Sequence, residues 1–360
     1  MHTHTNFDYP DFEKDYFTEA PNVKSASVTK AGLAPSQFFL TSHLPTYYKL
    51  NGHWQLPDFS SLNCVAVIEN KKIIIKEFND LEVGDEVVIG KKADGSEGIF
   101  QIRLDSNKTE KHLRSSEAAN TNQYTKLYDL LEEIKRKKGK IAWVLGPAVV
   151  FDHDTRESFS KLADQGYVHA LLGGNAIATH DLEAAYLNTA LGQDIYTQKT
   201  MPLGHYNHLD LLNEVRSLGS IEAFVTKGHA KNGIMKIITE KQIPFVLSGS
   251  IRDDGPLPEV EADTMLAIRK SKDLLNQADL VICLATMLHS LSAAELASSY
   301  RKVDGKIKPI VFFSVDITAS AVNKVLAQRN FYEAYGIVTN VQDFVVNLER
   351  HLIKGNKDYE

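Results

Sequence analysis

The stretch GSIRDDGPLP (residues 249–258) follows the apolar run IPFVLS and sets Arg252, Asp253, Asp254, Gly255, Pro256 and Pro258 close together. Two adjacent carboxylates repel unless a cation or a bound group offsets them, and proline restricts how the loop relaxes. The loop is either a salt-bridged turn or one wall of a site. Other unusual residues gather in GGNAIATHDLE (173–183), LATMLHS (284–290) and SVDIT (314–318). Gly173-Gly174-Asn175 and Thr286-Met287-Leu288 stand where strands give way to helices, and free backbone N–H groups there favour phosphate. A plain tight turn is the structural alternative. Asp316, just past an apolar run, can accept both hydroxyls of a ribose or cap the next helix.

The elements that must position these residues show a change of character along the chain. Residues 36–104 read as β: NCVAVIENKKIIIKEF places β-branched runs around Glu69-Asn70-Lys71, and DEVVIGKKADGSEGIFQIR repeats the scheme. From 121 onward, apolar strands (IAWVL, VHALLGG, IPFVLSGS, DLVICLAT, IKPIVFFSVD) alternate with helical segments. DTRESFSKLADQG reads as a helix with Asp154 and Glu157 at capping-box spacing and Gly166 as its stop, and LHSLSAAELASSY reads as another. This alternation predicts an α/β fold with a parallel sheet covered on both faces. The division is an N-terminal extension (1–35), a small β-rich module and linker (36–120), and a Rossmann-like domain (121–360). Ligands of such a sheet bind beyond the carboxyl ends of the strands, which is where the four polar stretches fall.

The 360 residues carry a formal net charge of −6, which argues against nucleic acid as the main partner. No apolar run approaches the roughly 20 residues that span a bilayer. The N-terminus has no apolar signal segment, and the two cysteines sit in strand-like runs as buried thiols. These features point to the cytoplasm. No GxGxxG follows a strand, Ser250 is not in GxSxG, and Walker A is absent. GHYNH (204–208) has no second ligand cluster at metal spacing, so it reads as a helix start and no metal is expected. KRKKGK (135–140) reads as a solvated, basic helix end.

The motifs GPAVVFDHD, GYVHALLGGNAIATHDLE, GHYNHL, GSIRDDGPLP, LATMLHS, VDIT and GIVT occur in one order. In this the chain resembles the archaeal-type ornithine cyclodeaminase family, also found as the C-terminal half of bifunctional arginine dihydrolase/ornithine cyclodeaminase proteins. The resemblance is strongest over 141–350, and the β module resembles the family's LOR/SDH region. It implies a dinucleotide-binding domain related to deoxyhypusine synthase, which would account for the missing GxGxxG, and a tightly held NAD. Carried over motif by motif, the NAD contacts are Asn175, Ala176, Asp254, Thr286, Met287, Leu288, His289 and Asp316, with Gly174 at the phosphate turn and the segment at Thr339 and Asn340 closing the site. The implied reaction is redox-neutral: L-ornithine is oxidised at its α-carbon, cyclises, loses ammonia and is reduced to proline. On this reading Arg252 pairs with a carboxylate or restrains the aspartates, and Asp253 or Asp254 holds an ammonium group or acts as base. His180, Asp181 and Glu183 form a second polar wall, with His289 and His205 as further acid–base candidates.

The chain departs from the family pattern at Tyr206, where an arginine is expected, at Asn340, where an aspartate is expected, and in LSAAELASSY after LHS. A related amine or amino acid is therefore an alternative substrate, and an NAD-binding sensor or assembly subunit is the non-enzyme alternative. A parallel α/β domain with a β module commonly forms homo-oligomers.

Overall fold

The structure is a computed structural model that describes residues 10–102, 121–253, 255–303, 305–329 and 333–354. The chain begins with α1 (Asp15–Thr18), β1 (Lys24–Ser27), β2 (Thr46–Leu50), β3 (His53–Gln55), β4 (Val65–Glu69), β5 (Lys72–Lys76), β6 (Glu86–Ile89) and β7 (Ile99–Gln101). Next come α2 (Thr121–Arg136), β8 (Ile141–Leu145), α3 (His153–Asp164), β9 (Ala170–Gly174), α4 (Asn175–Leu187), β10 (Thr189–Ala190) and β11 (Gln193–Asp194). Three helices follow, α5 (Asn207–Leu218), α6 (Ile221–Thr226) and α7 (Ile234–Glu240), then β12 (Phe245–Ser248), β13 (Val260–Glu261) and α8 (Thr264–Asn276). The last stretch holds β14 (Leu280–Leu284), α9 (Met287–Leu296), β15 (Tyr300–Val303), β16 (Lys306–Pro309), β17 (Val311–Asp316), α10 (Ala319–Gln328), β18 (Ala334–Val338) and α11 (Val341–Glu349).

These elements form two compact units. One comprises Met1–Lys111, Glu295–Val311 and Asn330–Glu333; the other comprises His112–Ala294, Phe312–Arg329 and Ala334–Glu360. The first contains an antiparallel sheet in the order β1-β6-β4-β5 and a second in the order β3-β2-β7. Asn70 and Lys71 both have positive φ, 50° and 62°, the conformation of a two-residue hairpin turn, so β4 and β5 pivot where the sequence indicated. Val65, Val67 and Val87 pack in one cluster, while Ala66 and Val88 pack in another. Neighbouring residues of a strand point to opposite faces, so both faces of this sheet are buried.

Two features redraw the expected division of the chain. Residues 24–27, assigned to an extension, pair with β6 from Lys24↔Ile89 to Ser27↔Glu86. The hairpin β15–β16 belongs to the first unit, where Tyr300 and Ile307 pack with Tyr47, Leu56 and Ile102 and the Ser60 N–H donates to Ser298 Oγ at 2.9 Å. LSAAELASSY is therefore helical only to Leu296, and IKPIVFFSVD holds two strands rather than one.

The second unit is built on a seven-stranded sheet in the order β13-β12-β9-β8-β14-β17-β18. The pairs β8–β9, β8–β14, β9–β12, β12–β13 and β17–β18 are all parallel. All five residues of β8 and of β14 are buried, as central strands with helices on both faces must be. α3 starts at His153 with Asp152 as its cap, whose carboxylate accepts the Thr155 N–H at 2.9 Å; Asp154 lies two residues past the cap, inside the first turn. Gly166, at φ +78°, ends this segment as expected. Among the described residues no helix is long and apolar enough to cross a membrane.

Candidate active site

The strand order fixes where a crevice opens. β8, β9, β12 and β13 run outward to one side of the sheet, and β14, β17 and β18 to the other. The direction reverses between β8 and β14, and a ligand crevice forms beyond their carboxyl ends. There the Gly146 N–H donates to the Leu284 carbonyl at 2.8 Å. A Cβ on Gly146 would lie 1.8 Å from the Ala285 carbonyl oxygen, so no other residue fits without moving a backbone. Ala285 adopts φ +54°, a left-handed conformation that strains a non-glycine residue by about 1 kcal/mol or more. Gly146 opens the GPAVVFDHD motif, but the sequence assigned it no role.

The floor of this crevice is narrow and polar. His289, on the first turn of α9, lies over the tip of β9: a Cβ on Gly174 would sit 3.2 Å from its Cε1. Burial holds the His289 imidazole below its usual pKa and so favours the neutral ring. Its Nδ1 stands 3.3 Å from Thr286 Oγ1. Gly174 gives α4 no side-chain cap, leaving the N–H groups of the first turn, at Asn175 and Ala176, available to an anion. On the other side Asp316 ends β17, and its Oδ1 accepts the Thr318 N–H at 2.8 Å. This bond orders the start of α10 and leaves Oδ2 without a hydrogen-bond partner among the described residues. Leu288 and Ile317, at 75% and 66% exposure, give this rim an apolar surface, and Met287 is exposed beside them. Free N–H groups, a carboxylate at a strand tip and uncovered apolar side chains match the phosphates, ribose and flat rings of a dinucleotide, so the residues fit NAD.

Thr339 and Asn340 follow β18. The Thr339 N–H donates to the Asp316 carbonyl at 3.0 Å. Asn340 caps α11, accepting the Gln342 N–H at 2.8 Å. Asparagine caps a helix as well as aspartate does, so this departure keeps the local structure and changes only the charge.

The 249–258 loop is held from outside rather than by its own arginine. Asp253 Oδ2 accepts the Ser250 N–H at 2.8 Å, closing a small turn that presents Ile251 and Arg252 to solvent. Arg216 of α5 donates through Nε and Nη2 to the Pro256 carbonyl at 3.2 and 3.0 Å. Asn175 Oδ1 accepts the Leu257 N–H at 3.0 Å, which ties the loop to the first residue of α4. Arg252 makes no bond to Asp253 here. Asp254 lies outside the described residues. No local sequence signal marks Arg216, since its partner is a carbonyl 40 residues away.

The α4 residues divide into two groups. Asp181 is fully buried and its oxygens accept from Arg156 Nε at 2.8 Å, the Ile234 N–H at 3.0 Å and the Met235 N–H at 2.7 Å. It is an internal cap for α7, with both oxygens taken by protein donors, which does not fit the catalytic role expected of it. His180 instead makes a 2.8 Å contact through Nδ1 with Glu183 Oε2. Its ring lies edge-on to Phe151 at 5.6 Å and 6.2 Å from His208. His205 stacks obliquely on the exposed Tyr206 at 4.4 Å. GHYNH forms a short turn and the start of α5, as the sequence indicated. Cys64 and Cys283 are buried, and burial pushes the Cys283 thiol up to about 12, unsuited to nucleophilic chemistry.

The geometry agrees with comparisons to known proteins. Residues 125–348 match the family model described as the arginine dihydrolase ArgZ-like C-terminal Rossmann fold. The chain is 36% identical to an ornithine cyclodeaminase of Archaeoglobus fulgidus over 93% of its own length and 78% of the relative's. A crystal structure of a LOR/SDH protein from Methanococcus maripaludis superposes with a TM-score of 0.83 at 31% identity, covering 93% of this chain and 99% of the other. The crystal structure of AgrE in a ternary complex with ornithine and NAD+ matches with a TM-score of 0.58 at 30% identity, over 95% of this chain and 47% of AgrE. The chain therefore belongs to the ornithine cyclodeaminase family, with residues 125–348 in the ArgZ-like C-terminal Rossmann fold.

Proposed function

We propose that this chain converts L-ornithine to L-proline and ammonia, using bound NAD without net consumption. The observation that carries this reading is the relative AgrE, which binds ornithine and NAD+, together with a crevice here whose groups suit both ligands. When bound, NAD supplies a hydride acceptor that returns the hydride later in the same turnover. The N–H groups at the start of α4 and α9 receive its phosphates, Asp316 its ribose, and Leu288 and Ile317 its rings. The loop at Arg252 and Asp253 faces the amino acid: Arg252 is free to meet a carboxylate, and Asp253 to meet an ammonium group. Asp254 contacts the cofactor on the family pattern. His289, held neutral, offers Nε2 at the floor without adding charge beside the cofactor.

A related amine is the second reading. It is favoured by Tyr206, half exposed where the family pattern has an arginine, because losing a cation weakens recognition of a carboxylate. The test is incubation of the purified protein with NAD+ and L-ornithine, lysine or simple diamines, with mass detection of cyclised products. Proline from ornithine supports the first reading; a cyclic product from another amine and none from ornithine supports the second.

A further inference from the structure

We infer that Glu183 is a positioning residue that fixes the ring of His180 so that its Nε2 takes the proton from the substrate's α-ammonium group. This rests on the ornithine reading above and names the group that serves that reaction as base.

Glu183 is fully buried. Its Oε1 accepts from Thr189 Oγ1 at 2.7 Å and from the Gly192 N–H at 3.1 Å, and its Oε2 meets His180 Nδ1 at 2.8 Å. An ionised carboxylate only accepts hydrogen bonds. Three donors converge on it, so the His180 proton belongs on Nδ1. In the neutral ring Nε2 then carries a lone pair, and it has no hydrogen-bond partner among the described residues. A carboxylate that orients an imidazole in this way is the second half of a general-base pair.

Asp181, two residues earlier on the same helix, shows what a purely structural carboxylate looks like here. All its contacts end in groups with no further chemistry: a guanidinium and two backbone N–H groups. The Glu183 network ends instead in an open imidazole nitrogen. It also runs to the GHYNH turn, because Asn207 Nδ2 donates to Thr189 Oγ1 at 2.8 Å. Gly192 and Gly204 lie so close that a Cβ on Gly192 would sit 2.5 Å from the Gly204 carbonyl carbon. The turn carrying Tyr206 and His208 is thereby locked to the base.

In the step itself, an N–H bond of the substrate ammonium breaks and an Nε2–H bond forms. The ammonium becomes a neutral amine and the imidazole an imidazolium, facing the Glu183 carboxylate. The electron pair left on nitrogen is the one the oxidised substrate needs for its C=N bond.

The test combines a tautomer measurement with kinetics. Protein labelled with 15N-histidine, with the His180 resonance assigned by its loss in His180→Gln, is expected to show protonated Nδ1 and unprotonated Nε2, a pattern abolished by Glu183→Leu. His180→Gln and Glu183→Gln are expected to lower kcat for proline formation by about 10²–10⁴-fold, while the NAD dissociation constant, read by tryptophan fluorescence, changes less than about twofold. Added imidazole is expected to restore His180→Ala at least about tenfold, which a merely structural histidine would not allow. A protonated Nε2, or full turnover by His180→Gln in a protein that makes proline, overturns the inference and leaves the ornithine reading standing. Absence of proline from the unmodified protein removes the ornithine reading instead, and the tautomer then decides the positioning role by itself.

Discussion

Asp181 and Glu183 are two residues apart in one sequence motif, and nothing in THDLE separates their roles. The difference comes from residues outside the motif: Arg156, Ile234 and Met235 enclose one carboxylate, and Thr189 and Gly192 aim the other. Removing one partner of a buried ion pair leaves an uncompensated charge and costs about 3–5 kcal/mol. Asp181→Ala is therefore expected to destabilise the fold by roughly that amount in denaturant unfolding, while the fraction that folds still binds NAD. Normal stability with lost NAD binding would instead place Asp181 at the site. His289 gives a pH prediction. Its folded pKa lies below the ordinary 6.5 because burial disfavours the cation, so between those two values the unfolded chain binds more protons than the folded one. The stability this represents is present above about pH 6.5 and is lost as pH falls toward the folded value. His289→Gln should flatten the stability profile below about pH 6.5 relative to the parent; an unchanged slope would show that the ring is not held neutral. His169, also lowered chiefly by burial, adds a separate slope that this variant leaves in place.

At the scale of elements, the strands and helices that carry a clear period were legible. IAWVL, DLVICLAT and TMLAIRKSKDLLNQA fall where the apolar pattern places them. What escaped was short or depended on distant partners. β13 has two residues, and β15 and β16 pair from Tyr300↔Pro309 to Val303↔Lys306, a hairpin whose Asp-Gly sequence signal is hidden between two longer apolar runs. The 249–258 loop is held by α4 and α5, through Asn175 and Arg216, rather than by pairing of its own charges. Hydrogen bonds from a charged donor contribute about 1.5–3 kcal/mol, discounted here because Arg216 is exposed. Arg216→Ala should raise the KM for the amino acid by about tenfold with little change in thermal stability. A KM equal to the parent's would show that the loop holds its shape without the clamp. In the first unit Lys49, nearly fully buried, donates to the carbonyls of Phe17, Thr18 and Ala20 at 3.0, 2.8 and 2.7 Å. Lys49→Met should release the N-terminal segment to limited proteolysis while leaving the β1–β6 sheet protected; equal protection of the segment would show that its aromatic contacts suffice.

At the scale of the molecule, alternation of strand and helix was enough to place the polar stretches on one rim of a parallel sheet. It was not enough to place the switch point, because strand order depends on which strands pair, and β8 pairs with β14 across more than a hundred residues. The domain boundaries were hidden for the same reason: Tyr300 and Ile307 find their apolar partners among Tyr47, Leu56 and Ile102, about two hundred residues earlier. On the proposed function, the crevice, the held loop and the His180–Glu183 pair serve one redox-neutral turnover. The most direct measurement is a time course of proline, ammonia and NADH from purified protein, L-ornithine and NAD+. Proline and ammonia in equal amounts, with no accumulation of NADH, is the predicted result; NADH rising in step with ornithine consumed, or NAD bound with no product, would contradict it.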